Sequence, residues 1–357
     1  MQPVDAPLDT LLLPWLQGVL HWPAAPEPVL FLRARAGAAL RALPRERWLC
    51  EQGYRPAATA LERDGLVVVP DLDAAADQAP ADTRYPLVLV LPPRQRDEAR
   101  ALLARAVALT APGGRVVASA ANAEGVKSVE GDLRQLAGVG GSLSKHHCRV
   151  CWTPPLHGTH DDALQAQWRA QDQPQRIAGG RFLSRPGVFA WDRIDAASAL
   201  LAEHLPTDLS GTGADLGAGF GFLSAEVMAR APGVRALHLY EAEARALDMA
   251  RANLAAHASA STALAFHWHD VTAGLPQCYD FIVSNPPFHA QSRHDRPDLG
   301  QRFIEVAAQA LWPGGHLWLV ANRHLPYESV LDARFGQVRC VASRDGYKVI
   351  EAVKARP

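Results

Sequence analysis

The chain contains no apolar run approaching the ~20 residues that a bilayer-spanning helix needs, and this excludes an ordinary transmembrane helix from its 357 residues. Cysteine is scarce. The five cysteines stand at irregular positions, which argues against a disulfide framework and suits a reducing cytoplasm. Excess charge is absent as well: the net charge is −1, whereas a protein gripping phosphates over its whole surface would be strongly basic. The first residues lack a basic leader and carry Pro3, Pro7 and Pro14, so no secretory signal is expected. What remains is the profile of a globular protein, with 48% hydrophobic and 20% charged residues, and a length suited to two domains. One local basic stretch stands out, Arg33, Arg35, Arg41, Arg45 and Arg47, with Glu46 inside it. It reads equally as a phosphate contact or as a solvated surface.

One pattern is written twice. In the second half a buried strand, Asp280 to Ser284, runs into Asn285-Pro286-Pro287-Phe288. A helical stretch from Leu299 to Leu311 follows, stopped by Trp312-Pro313-Gly314-Gly315, and then a strand from His316 to Asn322. In the first half the strand Pro86 to Leu91 is followed by Pro92-Pro93, a helix from Glu98 to Leu109, Ala111-Pro112-Gly113-Gly114 and a strand from Arg115 to Ala120. Strand-helix-strand units of this kind build parallel sheets, so the order predicts two related α/β domains. The differences carry the function. The second copy has seven more residues after its prolines, in a segment holding His289, Arg293, His294 and Arg296. Asn285 precedes its prolines where the first copy has Leu91, and the first half has no glycine-rich turn after its early strand. A stretch with Pro154, Pro155 and Pro174 and no sustained apolar period separates the halves. The expected division is 1–160, a linker over 161–180, and 181–357.

The second half opens with Asp215-Leu216-Gly217-Ala218-Gly219-Phe220-Gly221. An acid closes a short strand, and glycines at every second position let the following turn approach a ligand closely. The next two strands end on Glu241 and Asp270. Carboxylates at successive strand ends on the carboxyl edge of a parallel sheet suit ribose hydroxyls and an adenine amino group, although each taken singly also reads as a helix cap. His146-His147-Cys148-Arg149-Val150-Cys151 alternates polar and apolar residues and has no second Cys/His pair nearby, so it is read as a strand, with no metal site expected.

With Pro186-Gly187-Val188-Phe189, Asp215 to Gly219, Ser284 to His289, Val320-Ala321-Asn322, Leu325-Pro326-Tyr327 and Tyr347-Lys348-Val349 in view, the C-terminal half resembles class I S-adenosylmethionine-dependent methyltransferases. More narrowly it resembles the bacterial ribosomal RNA guanine-N2 methyltransferases of the small-subunit type. The resemblance implies an α/β fold of two related Rossmann-like methyltransferase domains, the C-terminal one a seven-stranded sheet with an antiparallel last strand. Residues 337–353, turning at Arg344-Asp345-Gly346, read as its final hairpin. It also implies a first domain that has lost its cofactor site and serves RNA recognition and stability. S-adenosylmethionine is the implied cofactor, bound by Asp215, Gly217, Gly219, Glu241, Asp270, Asn285 and Phe189. The implied partner is ribosomal RNA, within an assembled or assembling subunit, and the implied location is the cytoplasm.

Asn285-Pro286-Pro287-Phe288 suits methylation of a planar amine, whose lone pair is delocalised into its ring. The side-chain oxygen of Asn285 and the carbonyl of Pro286 can accept the two N–H bonds and aim the lone pair at a methyl group. The prolines stiffen the loop and bring no competing N–H, and Phe288 offers a face for an extruded base. Asn285, Pro286 and Phe288 are therefore the catalytic candidates. Phe288, His289, Arg293 and Arg296 are the substrate-binding candidates. Large-subunit RNA, a protein glutamine amide and a non-catalytic assembly factor stand as alternatives.

Overall fold

In the computed structural model, residues 5–41, 43, 47–75, 82–158, 160–255, 262–287 and 297–356 are described. The chain falls into two compact units, Met1–Gln173 and Pro174–Pro357, and each contains one seven-stranded sheet.

In the first unit the strands are β1 (Val29–Leu32), β2 (Trp48–Glu51), β3 (Val67–Val69), β4 (Tyr85–Val90), β5 (Thr110–Ala121), β6 (Gly141–Lys145) and β7 (Cys148–Trp152). Its helices are α1 (Ala6–Leu11), α2 (Leu13–Leu16), α3 (Ala38–Arg41), α4 (Arg55–Arg63), α5 (Arg96–Leu109), α6 (Val126–Ala137) and α7 (Asp162–Ala170). The sheet order is β3-β2-β1-β4-β5-β7-β6, with β7 antiparallel to both neighbours. The period-2 alternation of the strands sends Leu30, Leu32, Val88 and Val90 to one core, and Val29, Phe31, Leu87 and Leu89 to the other. Helix α7 belongs to this unit: Trp168 is buried in the core with Leu103 and Leu133, under the Arg100 guanidinium 5.0 Å from its ring.

The second unit begins with a small antiparallel pair, β8 (Gln175–Ile177) and β9 (Phe182–Ser184). Its main sheet holds β10 (Ser210–Leu216), β11 (Gly233–Glu241), β12 (Ala263–Trp268), β13 (Tyr279–Ser284), β14 (Leu311–Asn322), β15 (Gln337–Arg344) and β16 (Tyr347–Val353). The helices are α8 (Ala196–His204), α9 (Phe222–Arg230), α10 (Ala244–Leu254), α11 (Pro297–Gln309) and α12 (Glu328–Arg334). The order β12-β11-β10-β13-β14-β16-β15 repeats that of the first unit strand for strand, and the last strand in the chain, β16, runs antiparallel. One face packs Leu237, Leu239, Phe281 and Val283 with α8, α9 and α10. The other packs Leu216, Ile282 and Leu319 with α11 and α12.

The repeated Pro-Gly-Gly acts differently from the helix stop expected of it. Helices α5 and α11 end before it, and it lies inside β5 and β14, where the register shifts. Gly113 and Gly314 take left-handed φ of 80° and 82°. A Cβ on Gly114 would lie 2.8 Å from the Pro86 carbonyl oxygen, and one on Gly315 would lie 2.9 Å from that of Asp280. The motif is a bulge that brings each long strand against its neighbour, which only glycine allows.

Candidate active site

Strand β10 delivers the chain to a turn in which Gly217, Gly219 and Gly221 have φ of 76°, 55° and 88°. These values lie in the region disfavoured for side-chain-bearing residues, so glycines make this turn without strain. The turn is pinned from below: the N–H groups of Gly217 and Ala218 donate to the Tyr240 carbonyl at 2.9 and 3.1 Å. Above Gly219 there is open space, and a Cβ there would meet no atom within 4 Å.

The acids at the strand ends are placed unequally. Glu241 closes β11 and accepts from the Gly219 N–H through Oε2 and from the Glu243 N–H through Oε1, both at 2.8 Å. Burial holds its carboxyl above the usual range, against the backbone N–H bonds that pull it down. Asp215 is fully buried beneath the turn. Its Oδ2 accepts from the Ser224 hydroxyl at 2.7 Å, and among the described residues its Oδ1 has no partner. Burial pushes this carboxyl up to about 7, with a smaller push from the Glu241 charge. Asp270 caps the short turn Val271–Ala273, with Oδ1 accepting from the Thr272 N–H at 2.9 Å and the Thr272 hydroxyl at 2.6 Å.

Asn285 leaves β13 beside the glycine turn that holds Gly217 and Gly219. Its side-chain Nδ2 donates to Asp195 Oδ2 at 3.0 Å and to Ser198 Oγ at 2.9 Å. Pro286 is buried and Pro287 exposed. Phe189, Asp195, Ser198, Gly217, Gly219 and Asn285 line one cleft, and Phe189 is 61% exposed at its rim. The fold thus gathers Gly217, Gly219, Asn285 and Phe189. Glu241 reaches the turn through Gly219, and Asp215 lies underneath. Phe288, His289, Arg293 and Arg296 lie outside the described residues. Asp195 and Ser198 were not anticipated. The only local signal was an Asp three residues before a Ser at the start of an apolar helix, the pattern of a helix cap.

Residues 179–351 match the model of the methyltransferase small domain. Ribosomal RNA small subunit methyltransferase C of Salmonella paratyphi A is 32% identical over 282 residues, covering 79% of this chain and 78% of that protein. The protein of the same name from Pseudomonas paraeruginosa is 33% identical over 279 residues, covering 76% and 81%. The chain belongs to the ribosomal RNA small subunit methyltransferase C family. A solved structure of a T. thermophilus 16S rRNA N2 methyltransferase in complex with AdoMet and guanosine shares the fold, with a TM-score of 0.75, 24% identity and coverage of 98% of this chain and 92% of that one.

In this member of the methyltransferase C family, strand register shows how the first unit differs. Leu32 pairs with Glu51 and Val90, as Leu216 pairs with Tyr240 and Ser284. Arg33 therefore occupies the position of Gly217, Arg35 that of Gly219, Gln52 that of Glu241 and Leu91 that of Asn285. The backbone geometry persists, since Arg33 keeps a left-handed φ of 52°, and Gln52 still accepts from the N–H two residues on, that of Tyr54, at 2.9 Å. Two of these positions now carry arginines that form ion pairs. Arg33 reaches Glu98 at 3.2 Å and Arg35 reaches Asp5 at 3.4 Å. Farther along the basic stretch, Arg41 pairs with Asp64 at 3.0 Å. Much of the basic stretch is thus spent on internal pairs.

Proposed function

We propose that this chain transfers a methyl group from S-adenosylmethionine to the exocyclic N2 amine of a guanine in 16S ribosomal RNA. The observation that carries the proposal is the joining of a glycine turn and an Asn-Pro-Pro loop in one cleft, with Asn285 beside Gly217 and Gly219. The names of the relatives, and the T. thermophilus neighbour bound to AdoMet and guanosine, support the same cofactor and base.

The residues present fit the cofactor. The open space over Gly219 and the left-handed turn form a cradle that any side chain would fill. Gly217, Gly219, Glu241 and Phe189 would hold it, Asp270 would meet its adenine end, and Asp215 would act through the turn above it. Bound there, S-adenosylmethionine supplies an electrophilic methyl group on a sulfonium and leaves as a thioether. Asn285 Oδ1 and the Pro286 carbonyl accept the two N–H bonds of the guanine amine, which turns its lone pair toward the methyl group. This is a positioning effect on a weak nucleophile. Once methylated, the nitrogen is acidic enough to lose its proton to water. Phe288 stacks the extruded base, His289 is a further substrate contact, and Arg293, His294 and Arg296 meet RNA phosphates. The first unit contributes RNA recognition and stability. The net charge of −1 favours a structured particle, an assembled or assembling small subunit in the cytoplasm, recognised by shape.

The test is transfer of labelled methyl from S-adenosylmethionine to 16S rRNA, to small subunits and to 23S rRNA, followed by nucleoside analysis. Label is expected in N2-methylguanosine from small-subunit RNA. Label confined to 23S rRNA, or absent from RNA, would overturn the proposal.

A further inference from the structure

An amide side chain can present either its oxygen or its NH2 to a ligand, and only one of these serves the chemistry proposed for Asn285. The NH2 face turned toward a guanine amine would set donor against donor. What fixes the choice lies in the helix behind it. Helix α8 begins at Asp195, which has extended backbone angles and accepts from the Ser198 N–H at 2.9 Å as an N-cap. The same carboxylate oxygen, Oδ2, accepts from Asn285 Nδ2 at 3.0 Å, and Ser198 Oγ accepts from that nitrogen at 2.9 Å. All three side chains are only partly buried and line one cleft.

A carboxylate has no proton to donate, so it can meet only the NH2 end of the amide. With both N–H bonds taken by Asp195 and Ser198, the oxygen is left for the cleft, and among the described residues it takes no other hydrogen bond. Donation to an ionised acceptor also draws electron density toward the amide oxygen, which makes it a better acceptor. The N-cap bond holds the Asp195 oxygen in place through the helix backbone rather than through a mobile side chain.

We infer that Asp195 and Ser198 are positioning residues for methyl transfer: they lock the Asn285 amide with its oxygen toward the substrate amine. This rests on the reading of Asn285 as an acceptor for that amine. Asp195→Ser separates this role from helix capping, because serine is an equally good N-cap but its shorter side chain draws the acceptor away from Asn285. Ser198→Ala removes the second acceptor at a helical position where alanine is favourable. Each variant should melt near the wild-type temperature and lower kcat about tenfold, and the pair about 100-fold, the scale of a misaligned reacting group. The KM for S-adenosylmethionine should move less than about twofold, since binding of the cofactor is not what the lock controls. Asp195→Asn, whose oxygen can still accept from both Asn285 and the Ser198 N–H, should recover most of the lost kcat.

A second readout needs no turnover. The side-chain amide resonances of Asn285, identified by their loss in Asn285→Ala, should move toward free-amide positions in the double variant. An unchanged kcat in Asp195→Ser or in the double variant would overturn the inference. So would a loss carried by the cofactor KM, which would make Asp195 a cofactor contact, or amide resonances that do not move. A wild-type protein that transfers no methyl to RNA would instead refute the proposed function, and the resonance measurement would stand apart from that failure.

Discussion

Replacing Asp215 by Asn should stabilise the protein in alkaline buffer and do little in acid. The side chain is fully buried, its Oδ2 held by Ser224 and its Oδ1 without a partner among the described residues. Burial raises the carboxyl from its ordinary 3.8 to about 7. Below pH 3.8 both the folded and the unfolded chain carry the proton, and the stability it contributes is fully present. As pH rises the unfolded chain ionises first, so that contribution falls away and is gone once pH has passed about 7. The full loss is about 4 kcal/mol, from about 1.4 kcal/mol per tenfold change in proton affinity. Between pH 5 and 8.5 it is about 3 kcal/mol. Asparagine has the shape of the protonated acid and keeps an acceptor for Ser224 without the ionisation. Melting curves of both proteins, without cofactor, at pH 5 and pH 8.5 provide the assay. The variant should gain on the wild type by roughly 6–12 °C between the two buffers, at about 2–4 °C per kcal/mol for a domain of this size. A difference in melting temperature that is the same at both pH values, or that moves the other way, would refute the reasoning.

Asn285→Ala should lower kcat by about 10²–10³-fold, the cost of losing one preorganised hydrogen-bonding group; a kcat within tenfold of wild type would count against the acceptor role. Gly219→Val places a branched side chain at a φ of 55° in the open space of the turn, and should weaken S-adenosylmethionine binding by about tenfold or more through steric exclusion and strain. Gly300→Ala would bring a Cβ to 1.8 Å from the hydroxyl oxygen of Tyr327, which is 1% exposed. Overpacking of this kind costs roughly 1–3 kcal/mol or more, so thermal melting should show a clear drop, and an unchanged melting temperature would show that α11 accommodates the methyl group.

The readable parts of the site were those set by local pattern. Glycines at 217, 219 and 221 announce a turn because the backbone there favours them, and Glu241 is visible because it ends an alternating strand. The twofold repeat was equally visible, since Pro-Gly-Gly meets the same bulge in both sheets. Its placement was misread because a glycine pair after a helix looks the same whether it ends the helix or bends the next strand. Contacts made across the fold left almost no trace. Asp195 and Asn285 stand 90 positions apart, and nothing between them indicates that a helix cap meets the Asn-Pro-Pro loop. The arginine stretch leaves two readings open for the same reason: the partner of Arg33 is Glu98, 65 residues away, and a linear reading shows the positive charge without the acid paired with it.

The central claim is tested most directly by nucleoside mass spectrometry of 16S and 23S rRNA from a strain lacking the gene, complemented in parallel with the wild type and with Asn285→Ala. One N2-methylguanosine should disappear from 16S rRNA, return with the wild-type gene and fail to return with the variant. Unchanged N2-methylguanosine in 16S rRNA after deletion would contradict the account.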